Sequence, residues 1–407
     1  MQNAPPRAVV GRTGWMVADQ AANSIFSLVA GLLAAQQLDV VGFGVFSTLF
    51  AAYLVLRDSL RALVLDPMII RRAHHGADQR SVVFGLSVAL ATAAGLAAVV
   101  TSMWWTRLDG ATAVAFTVAA IALCTVETLR AFAVLDVRPD RAAGLSVLLI
   151  VGTVGSFPLV TGGPDSSATY VLIALSLGGL LAAASSARGL SRLRPRVPNT
   201  WLAAHRSIGL PLFVDYLASA GVTSFALFVL AGIDIEQAAG LRGAQMIAAP
   251  LTLLFVALLQ ALTAEGARLR ATDPEVIERF GRMVVGVMAI AGVVATAMVA
   301  VLGGQLVRAL GESGAAARPV LVPMVVLSAT SGASLAASGV LRSRDESRAA
   351  MHARLLASGP FAFGVIVGAI LDGARGLAIG GSIANVVTVP LWWRAVVQTR
   401  PRQLTLE

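Results

Sequence analysis

Apolar stretches of about 20 residues recur from Gly14 almost to the C-terminus, with short polar hinges between them. A bilayer core of ~30 Å needs ~20 apolar residues per helix at 1.5 Å per residue. A soluble chain of this length would interleave its apolar positions with charge. The pattern predicts an all-α polytopic membrane protein of about twelve transmembrane helices. The spans are Gly14–Gln36, Phe43–Ile70, Ser81–Trp105, Ala111–Leu135, Ala142–Thr161 and Ala168–Ala187, then Ser207–Gly232, Ala238–Ala264, Gly281–Gly303, Arg318–Leu341, His352–Leu371 and Leu377–Val397.

The arginines orient the helices, because positive charge accumulates in cytoplasmic loops. Arg71, Arg72, Arg80, Arg138, Arg141, Arg188 to Arg206, Arg268, Arg270, Arg279, Arg342, Arg344 and Arg348 fall in one alternate set of connections. The other set carries only Arg107, Arg308 and Arg375, with Arg318 at a span edge. Both termini are therefore expected in the cytoplasm. The basic, proline-containing connection 188–206 divides the chain into a tail 1–13, an N-lobe 14–187, the linker itself, a C-lobe 207–397 and a tail 398–407. The two halves look like a parallel repeat. Asp19 aligns with Asp215 early in the first helix of each, and a small-residue turn with Gly44 or Gly240 follows at the same offset.

Composition sharpens this picture. Hydrophobic residues make up 57% of the chain and charged residues 13%, against ~25% charged in ordinary globular domains. Mean hydropathy is +0.79. A net charge of +9 raises a nucleic-acid reading, but the arginines sit at helix ends and form no basic face. Every basic residue other than histidine is Arg, which fits a biased genome. Cys124 lies alone in an apolar run, so no disulfide framework exists within the chain. The first apolar run is a full-length span with no small-residue cleavage site, so no signal peptide is expected. His74–His75 sit in an Arg-rich loop without other ligands and read as solvated. Trp104–Trp105 and Trp392–Trp393 read as interfacial belt residues. Walker A, GxSxG, HExxH and metal-spaced Cys/His patterns are missing, and no cofactor is expected.

The informative residues are charges placed inside spans, where each costs ~2.5–3.5 kcal/mol on insertion scales and needs a partner or a wet cavity. Span two reads AAYLVLRDSLRALVLDP. Arg57 and Arg61, four apart, share a face, with Asp58 beside Arg57 and Asp66 before Pro67. Span four brings Glu127 and Arg130 to a similar depth. In span eight Arg242 and Gln245 lie near the outer end. Two readings stay open. These groups either form an ion-pair network that holds helices together, or they line a vestibule. In the second case Arg57, Arg61, Arg130, Arg242 and Gln245 bind an anionic head group such as a pyrophosphate, and Asp19, Asp58, Glu127 and Asp215 couple transport to an ion. For Asp19 and Asp215 the simpler alternative is an interfacial carboxylate that caps a helix or pairs with Arg.

The stretch ADQAANSIFSLVAGLLAAQQLDVVGFGVFSTLFAAYLVLRDSLRALVLDPMII resembles the first two helices of bacterial polysaccharide transporters of the multidrug/oligosaccharidyl-lipid/polysaccharide exporter (MOP) superfamily. AAGLRGAQMIAAPLTLLFVALLQAL and VLRSRDESRAAMHARLL extend the likeness. The resemblance implies a MATE-like V of two six-helix lobes around a central cavity, with alternating access driven by a proton or sodium gradient. Asp19, Arg57, Asp58 and Arg61 would lie on its first-lobe wall. It implies a lipid-linked sugar of the undecaprenyl-pyrophosphate type as substrate, and a bacterial cytoplasmic membrane as the location. Lipid II flippases usually carry two further C-terminal helices beyond the twelve read here. The second reading is a multidrug antiporter of the same fold, which a carboxylate-dominated, aromatic-rich cavity would favour; aromatics are 6% here. A polysaccharide polymerase or ligase would need larger outer loops. A major-facilitator transporter would carry a Gly/Asp/Arg loop pattern that RRAHHGADQR lacks.

Overall fold

Helix is the only regular structure among the described residues, as a lipid environment that offers the backbone no hydrogen-bond partners requires. The computed structural model describes residues 6–70, 77–105, 107–136, 138–160, 167–186, 196, 200–269, 274–344 and 346–399. His74–His75 and most of the basic linker lie outside them. The chain divides into two compact units, Met1–Tyr216 and Leu217–Glu407.

Unit one contains α1 (Pro6–Gln37), α2 (Val40–Leu60), α3 (Ala77–Ser102), α4 (Gly110–Leu135), α5 (Pro139–Val160), α6 (Ala168–Ala184) and α7 (Thr200–Tyr216). α1 begins at Pro6, inside the expected tail 1–13. The boundary between the units falls within the expected seventh span, and not in the linker 188–206. Residues Ser207 to Tyr216 thus pack with unit one. α4 is buried over most of its length and packs against α3, α5 and α6. Its N-terminus is capped by Asp109, which accepts hydrogen bonds from the Thr112 N–H at 2.7 Å and the Thr112 hydroxyl at 2.8 Å. The Thr112 amide holds this carboxyl below the usual carboxylate range.

α2 does not end at Leu60. It continues through a π-helical turn, Arg61–Leu65, and a last turn, Asp66–Ile70. The Asp66 N–H bonds to the Arg61 carbonyl, five residues back. Pro67 supplies the cause. It has no N–H for the Leu63 carbonyl and its ring would clash there in an α-helix, so widening the preceding turn relieves both. Gly209 of α7 comes close to this turn: a Cβ added there would lie 3.1 Å from the Leu63 oxygen.

Unit two contains a π turn, Leu217–Gly221, then α8 (Val222–Ile233), α9 (Ile235–Leu269), α10 (Pro274–Arg308), α11 (Leu321–Thr330), α12 (Gly332–Ser343) and α13 (Ser347–Gln398). α13 is two antiparallel arms joined at Asp372–Gly373, where Gly373 has φ +54°. Only glycine takes that backbone without strain. The Gln237 side-chain oxygen accepts from the Ala374 N–H at 2.7 Å and fixes the hairpin. The arms meet backbone to backbone at Gly364, Gly368, Gly376 and Gly380, where an added Cβ would come within 2.5 Å of the opposing carbonyl oxygen. Small residues permit this approach in membrane helices. Along α10, Met283, Val287, Ile290, Val294, Met298 and Val301 form an exposed apolar stripe at helical spacing, as a lipid-facing helix shows.

Eight of the described helices are long and apolar enough to cross a bilayer, and the last of these spans both arms of α13. With α1, α6 and the α7–α8 run, they make the expected all-helical polytopic architecture of about twelve spans. The tenth span was expected as one helix from Arg318. It is broken into a 3-10 turn, Arg318–Val320, and two helices, α11 and α12, that meet at Ser331.

Candidate functional site

The polar interior of unit one is built from α1, α2, α4 and α5. Phe43, Phe46, Phe50 and Tyr53 stack along one face of α2, with ring centroids 5.5–6.4 Å apart. Arg57 follows one helical turn after Tyr53, so the same face delivers the first arginine. Its Nε donates to Asp58 Oδ1 at 2.8 Å. Arg130 of α4 is the hub. Its Nε and Nη2 donate to the two oxygens of Asp19 at 3.0 and 2.8 Å, a bidentate fork. Its Nη1 donates to Glu127 Oε2 and, at 3.3 Å, to Asn23 Oδ1. Ser146 of α5 donates to Asp19 Oδ1 at 2.8 Å. Arg61, on the π turn, reaches Glu127 Oε1 at 3.4 Å.

Three arginines thus face three carboxylates, and exposure divides them. The Arg130 and Glu127 side chains are 5% and 6% exposed, whereas Arg61 is 38% and Asp58 26% exposed. The buried members tie α1, α4 and α5 together, and Arg61 and Asp58 are the more exposed ones. Asp215 lies on a different helix from Asp19. It lies half-buried at the end of α7 in unit one, two residues before the π turn that opens unit two. Arg242 and Gln245 lie half-buried on α9 in unit two, separate from the unit-one cluster in the chain's division. Among the described residues no three His, Cys, Asp or Glu side chains converge on a metal position.

Unit two holds a second site that sequence reasoning missed. A cavity of about 350 Å³ lies among α8, α9, α11, α12 and α13. Arg354 of α13 lines it, its guanidinium 5.3 Å from the ring centroid of the buried Trp392. Hydroxyls of Thr223, Thr252, Ser328, Ser331, Ser334, Ser358 and Thr388, with the amide of Asn385, supply other polar lining. No Asp or Glu is among the described lining residues, and neither Arg242 nor Gln245 is. Arg354 stood in VLRSRDESRAAMHARLL as one more arginine near a span end. Asn23 and Ser146 were also missed. Asn23 had a signal, since it lies one turn from Asp19; Ser146 had none.

With this geometry in hand, the chain has the fold of MATE transporters. An inward-facing multidrug resistance MATE family transporter of the MOP superfamily matches with a TM-score of 0.72 at 13% identity, over 95% of this chain and 100% of that one. An outward-facing structure of such a transporter matches with a TM-score of 0.61 at 14% identity, over 96% and 95%. A MOP superfamily transporter from Pyrococcus furiosus matches with a TM-score of 0.63 at 14% identity, over 97% and 96%. No family model matches the chain, and no curated protein does.

Proposed function

We propose that the chain is an alternating-access transporter of the bacterial cytoplasmic membrane that flips or exports a lipid-linked oligosaccharide, of the undecaprenyl-pyrophosphate type, coupled to protons or sodium. The observation that carries this reading is the polarity of the unit-two cavity, whose one charged lining residue among those described is Arg354. A cavity that expels organic cations needs negative charge; a guanidinium with hydroxyls suits a phosphorylated, hydroxyl-rich head group. Arg61 is the accessible arginine of unit one. The Pyrococcus furiosus transporter offers a parallel: reverse polarity of its binding pocket is said to suggest a different function. The competing reading is multidrug extrusion, the role named for the inward-facing structure.

The test is flipping of a short-chain pyrophosphate-linked oligosaccharide in proteoliposomes beside extrusion of a lipophilic cation. Cation extrusion without lipid flipping refutes the proposal. Ion coupling is assigned to Asp19, Asp58, Glu127 and Asp215. Asp19→Asn is expected to reduce flipping more than Asp215→Asn, because Asp19 sits inside the charge cluster. Equal flipping across pH and sodium would make Asp19 structural. The arginine asymmetry supports cytoplasmic termini. Single cysteines at the exposed Asp109 and Asp372, in a Cys124→Ala background, should label from outside intact cells, and one at the exposed Arg138 should not.

A further inference from the structure

The tenth span breaks at Ser331, and one carbonyl there has two alternative sets of donors. In a continuous α-helix the Leu327 carbonyl would accept from the Ser331 N–H, one turn on. At the break that N–H is directed to the Ala329 carbonyl instead, and side chains take its place. The Thr330 hydroxyl donates to the Leu327 carbonyl at 3.0 Å. The Asn385 amide, from the second arm of α13, donates to the same carbonyl and to the Thr330 oxygen, at 3.4 Å each. The next carbonyl, that of Ser328, takes the Ser331 hydroxyl at 2.7 Å. Such back-bonding weakens a helix, and helices kink at Gly/Ser pairs such as Ser331–Gly332. Proline is not the cause, because Pro323 sits in the first turn of α11, where it is tolerated. Gly332 seats the break: a Cβ there would lie 3.1 Å from Met288 Cβ of α10 and 3.2 Å from the Phe255 ring of α9.

We propose that Ser331 is a two-state hinge, at which the Leu327 carbonyl exchanges donors. In the broken state Thr330 and Asn385 clasp that carbonyl. In the continuous state the Ser331 N–H takes it, and α11 runs on into α12. Either state satisfies the acceptor, so neither carries the penalty of a buried unpaired carbonyl, and the two stay close in free energy. That balance is what a bistable element requires. Ser328, Ser331, Ser334 and Asn385 all line the unit-two cavity, so donor exchange reshapes its wall. Use of the hinge in a transport cycle rests on the proposed function; the donor exchange itself does not.

The test is a double-mutant cycle on the full chain in phosphatidylcholine nanodiscs, read by thermal midpoint. Ser331→Pro removes the backbone donor of the continuous state, and the Ser331 φ of −70° already matches the φ that a proline ring fixes. Thr330→Val with Asn385→Leu removes both side-chain donors of the broken state. Each change leaves the carbonyl one way to be satisfied, so each alone should be tolerated. Together they strand it, and the combined variant should fall at least about 3 °C below the sum of the separate shifts. Ser331→Ala keeps the N–H and should show no such coupling. Shifts that simply add overturn the proposal, and so does equal coupling with Ser331→Ala. A second measurement needs no proline. Hydrogen exchange at the Ser331 amide should slow about tenfold when Thr330→Val with Asn385→Leu drives the span to the continuous state, the worth of one hydrogen bond. An exchange rate within about twofold of the unaltered chain sinks the donor exchange. In proteoliposomes, folded Ser331→Pro should lose flipping well beyond what Ser331→Ala loses. Full-rate flipping by Ser331→Pro removes the hinge from the cycle. Coupling and slowed exchange in a chain that flips no lipid-linked sugar uphold the hinge and refute the transport reading.

Discussion

Unit one and unit two both hold arginine on apolar helices, but they surround it differently. In unit one Arg130 is 5% exposed and meets two carboxylates, an amide and, through Asp19, a serine hydroxyl. In unit two Arg354 is half-buried beside an indole and looks into a cavity whose described lining has no acid. A buried charge whose needs are met by the protein is part of the scaffold. Arg354 instead lines a cavity, among hydroxyls and an amide. The lesson is that intramembrane charge alone does not mark a binding site; the partners already assigned to it decide its role.

The strongest way to break this contrast is to remove the hub. Arg130→Ala leaves Asp19 and Glu127 facing one another without their common cation, and stranding buried partners costs about 3–5 kcal/mol. Folded yield should collapse, and Asp19→Asn with Glu127→Gln should recover part of it by removing the stranded charges. Arg354→Gln is expected to lower flipping, and folded yield on the same preparation separates that loss from unfolding. An Arg130→Ala protein that folds normally and flips poorly would place unit one in the same class as unit two.

Much of unit one was legible in the sequence because charge stands out against an apolar background. Asp19, Arg57, Asp58, Arg61, Glu127 and Arg130 were expected at one depth, and the helices bring them into one cluster. The division between scaffold and accessible groups was not legible. It depends on the π turn at Arg61–Leu65, which has no compositional signature beyond Pro67. Arg354 was hidden for the opposite reason. An arginine near the end of a span looks like an interfacial anchor, and serines spaced three apart at 328, 331 and 334 look like a small-residue packing stripe. Only the fold shows that they face the same cavity from different helices.

A smaller effect separates Arg61 from Arg130 within unit one. Arg61 is 38% exposed and 3.4 Å from Glu127, so its ion pair should contribute at most about 1 kcal/mol to stability. Arg61→Ala is expected to fold, and under the proposed function to lose flipping; Arg61→Lys should lose part of it. The same pair of substitutions at Arg57, whose Nε is held by Asp58, should cost more folded protein for a comparable loss of flipping. Thermal midpoints and proteoliposome flipping, measured on the same preparations, decide this. If Arg61→Ala unfolds the chain as Arg130→Ala does, the cluster is a single structural unit with no ligand-facing member.

The smallest effect compares two serines. Ser146 is 1% exposed, and its hydroxyl donates to the Asp19 carboxylate at 2.8 Å. A hydrogen bond to a charged group is worth about 1.5–3 kcal/mol, and because Arg130 still holds both Asp19 oxygens, Ser146→Ala should cost about 1 kcal/mol. Ser331 donates to a carbonyl of its own helical run, a bond that adds little to a helix and often bends it. Ser331→Ala should therefore change stability by less than about 0.5 kcal/mol. Under the proposed function the order inverts for transport: Ser331→Ala, at the cavity, lowers flipping and Ser146→Ala does not. Denaturation midpoints and flipping rates on the two variants place each serine on one axis or the other. A Ser146→Ala protein of unaltered stability but weakened flipping would move the polar interior of unit one from scaffold to site.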